Sequence, residues 1–173
     1  MNINYKKILK LVTLLITSIL IATVSAEVYN YMYISGSGQI TSTGLDWELG
    51  LDAPGGASIS GPTASVAMTT NDGNLRNYTD CLRLKNLDAA VHSFNISVTS
   101  STGDIANFTE FKLVLFNASD VQVAVLDLKT VGSEATSLSI GNTETWRILF
   151  ELVPIAAPTT NAQVDFEVTL TYV

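Results

Sequence analysis

The chain has 173 residues, 47% of them apolar and 14% charged, with eleven Gly, four Pro, one Cys and one His. That length holds one domain with a real core, and the apolar fraction excludes intrinsic disorder. A lone Cys81 and a lone His92 exclude a disulfide framework and zinc sites of the finger or ribbon type, and a formal charge of −7 argues against a nucleic-acid partner, whose phosphates need Lys and Arg.

Residues 1–26 read as a secretory signal peptide. Lys6, Lys7 and Lys10 form a basic start, residues 11–24 are uncharged, and Val24-Ser25-Ala26 offers a small-residue cleavage site between Ala26 and Glu27. The apolar run would make roughly 21 Å of helix at 1.5 Å per residue. That is short against a hydrocarbon core of about 30 Å. The rival reading is a retained anchor starting at Ile8. Removing the segment leaves six basic residues against sixteen acidic ones, a net charge of −10 on residues 27–173. The expected product is secreted or held at the cell surface.

Next comes Val28, Tyr29, Asn30, Tyr31, Met32, Tyr33 and Ile34, a ribbon that is largely apolar or aromatic on both faces. A free strand of this kind is an aggregation hazard unless something covers it. Ser35-Gly36-Ser37-Gly38 follows and reads as a flexible hinge between an arm and a body. Two readings stay open. The ribbon folds into its own sheet, or it pairs with another copy by β-strand addition, each copy being incomplete alone. A head-to-tail contact that does not close on itself makes a filament. The expected organisation is a signal peptide at 1–26, an arm and hinge at 27–36 and a β domain at 37–173.

Period-two alternation runs through the rest. Leu45, Trp47, Leu49 and Leu51 alternate with Asp46, Glu48 and Gly50; Phe94, Ile96 and Val98 follow the same rule. So do Trp146, Ile148, Phe150 and Leu152, and finally Val164, Phe166, Val168, Leu170 and Tyr172. Less regular strands are expected at 58–68, 78–85, 111–116 and 121–128, with Gly, Asn and Asp marking the turns between them. The fold class is all-β: a single antiparallel β-sandwich, jelly-roll or immunoglobulin-like.

Few residues here carry chemistry. His92 is the only candidate general base and reads as a solvated loop residue, so no catalytic residue is expected and the chain is not read as an enzyme. Asp46, Glu48 and Asp52 come nearest to a calcium loop, but Asp46 and Glu48 belong to a strand, so no metal or cofactor is expected. Alternation places Cys81 with Arg83 and Lys85 on an outward face, where a thiol could form an intermolecular disulfide, but the favoured reading is a small buried apolar residue at the strand start. Four Asn-X-Ser/Thr triplets start at Asn77, Asn95, Asn107 and Asn117 and are candidate N-glycosylation acceptors in an exported protein.

The aromatic ribbon, Gly44-Leu45-Asp46-Trp47-Glu48-Leu49, Cys81-Leu82-Arg83-Leu84-Lys85-Asn86, Trp146-Arg147-Ile148-Leu149-Phe150-Glu151-Leu152 and the last strand together resemble the TasA and camelysin group of exported β-sandwich proteins. The resemblance is closer still to archaeal threads and bundling pili. It implies donor-strand complementation, in which residues 28–34 complete the sandwich of the adjacent subunit. The fibre so formed serves surface adhesion and biofilms and carries N-linked glycans. Partners would be other copies of the chain, neighbouring filaments and the cell surface. The protease activity implied by the camelysin name finds no zinc motif here. The alternative function is a monomeric secreted or S-layer-associated binding module.

Overall fold

The computed structural model describes residues 32–40, 44–70, 75–156 and 163–172. The proposed signal peptide, its cleavage site at Ala26 and Glu27, and Val28, Tyr29, Asn30 and Tyr31 lie outside them. Among the described residues no helix is long and apolar enough to cross a membrane.

Alternating apolar and β-branched residues give strands because successive side chains leave a pleated chain on opposite faces. In chain order these are β1 (Met32–Ile40), β2 (Leu45–Leu49), β3 (Ser58–Ser60), β4 (Thr63–Thr70), β5 (Arg76–Asn86) and β6 (His92–Gly103). A 3-10 turn at Ile105–Asn107 leads to β7 (Phe108–Phe116), β8 (Gln122–Asp127), β9 (Glu134–Ile140), β10 (Thr145–Pro154) and β11 (Gln163–Tyr172). They form a six-stranded sheet in the order β3-β4-β1-β11-β6-β9 and a five-stranded sheet in the order β2-β5-β10-β7-β8.

The two sheets face each other across one core, a sandwich-like all-β architecture. Aromatic pairs bridge them: Phe94 with Trp146 at 5.6 Å, Phe111 edge-on to Phe166 at 5.3 Å, and Phe150 with Phe166 at 5.7 Å between ring centroids. Strand directions define two poles. Ile40, Leu45, Asn86, His92, Ile140 and Thr145 share the upper pole; Met32, Arg76, Gly103, Pro154 and Gln163 share the lower one.

Several expectations are corrected. Every strand pair is antiparallel except β1 with β11, which is parallel. The strand expected at 58–68 is a hairpin, turned at Gly61 (φ +56°) and Pro62. β9 was not expected; its outward positions are polar and its path breaks at Ser137 (φ +57°), so alternation there is weak. The segment Ser35-Gly36-Ser37-Gly38 is strand throughout, not a hinge, and the boundary drawn at residues 36 and 37 falls in the middle of β1. Glycine there supplies space for neighbouring rings rather than flexibility.

Candidate assembly site

The site is the slot between β4 and β11, and in the single chain β1 fills it. β1 pairs antiparallel with β4 from Met32↔Thr70 to Gln39↔Thr63, and parallel with β11 from Tyr33↔Gln163 to Ile40↔Leu170. Among the described residues, the hairpin of β3 and β4 joins the rest of its sheet only through β1. Of the expected donor residues, Met32, Tyr33 and Ile34 have main-chain partners within the single chain.

The inward face of β1 reads Ile34, Gly36, Gly38, Ile40, all buried, and the outward face carries Ser35, Ser37 and Gln39. The two inward glycines are holes. A Cβ built on Gly36 would lie 2.0 Å from Cζ of Phe166, its partner on β11, so the ring lies over the glycine. A Cβ on Gly38 would lie 2.9 Å from Cζ2 of Trp47, which reaches across from the opposite sheet. The Trp47 indole Nε1 donates to the Pro62 carbonyl at 3.1 Å, fixing the ring against the β3–β4 turn. Large, small, small, large along β1 therefore matches the slot in one register, since a slip of one residue would turn every side chain to the other face. Sequence reading missed Gly36, Gly38, Trp47 and Phe166 as site residues. The available signal was the Ser-Gly alternation itself, which has period two.

The remaining candidates fall elsewhere. Cys81 is fully buried, and burial, with Asp52 and Asp80 nearby, pushes its thiol up to about 12. This is the favoured reading of the sequence, and simple alternation points outward because β5 carries two extra residues opposite β10 between Tyr78 and Leu82, a bulge across which alternation fails. His92 is also buried rather than a solvated loop residue: it opens β6, with Nε2 2.7 Å from Asp88 Oδ2. Asp46 and Glu48 lie on β2 while Asp52 Oδ2 accepts the Thr79 N–H at 2.8 Å; among the described residues no three His, Cys, Asp or Glu side chains gather as a metal site.

The four acceptor triplets separate by exposure. Asn77 is exposed on β5. Asn95 is half-buried on β6, its Oδ1 accepting the Ser137 N–H at 2.8 Å. Asn117 is half-buried in a turn, its Oδ1 accepting from Ser119 N and Val121 N at 3.0 Å each. Asn107, expected on an exposed loop, is buried at the end of the 3-10 turn, so the folded chain presents no acceptor there. No protein-family model and no curated protein matches the chain.

Proposed function

We propose that the chain is the exported structural subunit of an extracellular filament, in which β1 of one copy is laid into the slot between β4 and β11 of another. One observation carries this reading. Among the described residues the first strand occupies the middle of a sheet, with main-chain partners on both edges, and no other described strand ties β3 and β4 to that sheet. Once the leader is removed after Ala26, a strand this near the new end can be withdrawn and replaced by an identical strand without threading a loop, and strand addition draws its affinity from those same main-chain bonds. The donated segment expected at residues 28–34 is thereby extended along β1 to Ile40. The leader-like start and an exposed Asn77 agree with export, and attachment of cells to surfaces is the use that the TasA-like resemblance implies.

The chain's own β1 in its own slot favours a second reading, a monomeric secreted β-sandwich binding module. Electron microscopy and light scattering of the chain from Glu27, after brief partial denaturation to let strands exchange, separate the two. Fibres from that chain, and none from one lacking residues 27–40, support the filament. A discrete monomer under the same treatment supports the module.

A further inference from the structure

Loops that face water are ordinarily polar, but the connection between β5 and β6 reads Leu87-Asp88-Ala89-Ala90-Val91. Leu87 is 57% and Val91 63% exposed, and both alanines are exposed. The loop is held firmly. Asn86 Nδ2 donates to the carbonyls of Ala90 at 2.7 Å and Gly141 at 2.8 Å, Asn86 Oδ1 accepts the Asp88 N–H at 2.8 Å, and Leu87 N donates to the Gly44 carbonyl at 2.8 Å. His92 Nε2 meets Asp88 Oδ2, and Thr143 N donates to the Asp88 carbonyl. A pre-ordered loop that holds apolar side chains out in water is a surface prepared for contact.

Chain connectivity says what covers it. β1 ends at Ile40 and Gly44 begins the next described segment, so four virtual bonds separate them, a reach of at most about 14 Å. If β1 sits in another copy's slot, its own Gly44 must follow within that distance of the acceptor's upper pole. Gly44 carries the 87–91 loop with it, because its carbonyl holds Leu87 and its Cα packs against Asp88 and His92. Donor and acceptor therefore meet upper pole to upper pole. Acidic side chains at this pole are already engaged: Asp88 by His92, Glu144 by Gly141 N and Trp146 Nε1, and Asp120 by Arg147. These contacts hold the carboxylates in place around the loop.

We infer that Leu87 and Val91 on the rigid β5–β6 loop form the docking surface for the upper pole of a second copy, covered when β1 is exchanged. The inference rests on the strand-donation reading. Reciprocal exchange closes a two-fold pair, and one-way exchange strings copies along an axis passing their upper poles.

The test uses the chain from Glu27 in four forms: unaltered, Leu87→Ser with Val91→Ser, Val91→Cys, and a lower-pole control, Leu75→Cys. Analytical ultracentrifugation of the double Ser variant should show association weakened tenfold or more, with the circular dichroism spectrum unchanged. Oxidation of assembled Val91→Cys should give disulfide-linked pairs, and Leu75→Cys should not. Assembly that needs β1 yet is indifferent to the Ser pair, or that links Leu75→Cys and not Val91→Cys, overturns this inference and leaves strand donation standing. A chain that stays monomeric overturns both.

Discussion

At the scale of the residue, Gly36 shows how one hydrogen in place of a methyl group positions a strand. The Phe166 ring occupies the volume that a Cβ on Gly36 would need. Gly36→Ala should therefore destabilise the chain by about 1–3 kcal/mol, the usual cost of forcing extra carbon into a filled core. Phe166→Leu alone should also destabilise, by leaving a void. The double variant should lose clearly less than the sum of the two, because the smaller side chain makes room for the methyl, and urea denaturation of the four proteins measures this coupling. Additive losses would mean that the ring and the glycine do not share that space. Glycine in a sequence signals either freedom or room, and composition alone does not separate them. The separation lies in Phe166, 130 residues away in the chain, which is why the hinge was expected and a strand is found.

At the scale of the element, strands were legible where alternation was clean and misread where a bulge shifted it. β10 and β11 run close to their expected bounds. β5 was located correctly, but its two extra residues leave Asp80, Cys81 and Leu82 buried one after another. A buried carboxylate needs partners, and Asp80 has them: Arg83 Nε at 3.0 Å and Nη2 at 2.5 Å, and the Leu51 N–H at 3.1 Å. The Arg83 hydrogen bond, outweighing burial, holds the Asp80 carboxyl below its ordinary range. A folded-state value below the unfolded one of about 3.9 means that the stabilisation is fully present above that value. It is lost as pH falls through the lower folded-state value. Asp80→Asn should thus cost about 1.5–3 kcal/mol at pH 7, the range for hydrogen bonds to charged groups. The gap from the unaltered chain should narrow below about pH 4, as the carboxyl being compared becomes protonated. Urea titrations at pH 7, 4 and 3 check both statements, and a gap that is constant across pH would remove Asp80 ionisation from the account.

At the scale of the whole molecule, the two-layer class followed from alternation, but the order of strands did not, because pairing depends on contacts between segments far apart in the chain. What the topology adds is that β1 holds its sheet together. It buries Ile34 and Ile40, each of which contributes about 1.5–3 kcal/mol, and among the described residues it alone joins the β3–β4 hairpin to the rest of the sheet. A chain starting after residue 40 should therefore have a sheet cut in two and should refold poorly. A synthetic peptide of residues 32–40 added during refolding should restore it, since the slot recognises main chain and inward side chains, not covalent attachment. Saturable recovery of the near-ultraviolet signal of Trp47, whose ring packs on Gly38, measures occupancy of the slot. A peptide carrying Gly36→Ala should recover far less, because its methyl meets Phe166, and a peptide with Gln39→Ala should behave as the natural one, because Gln39 points to solvent. Equal rescue by all three would mean that the slot accepts any strand and that the glycine pattern does not encode its register; no rescue by any would mean that β1 acts only in cis, and strand donation between copies would lose its basis.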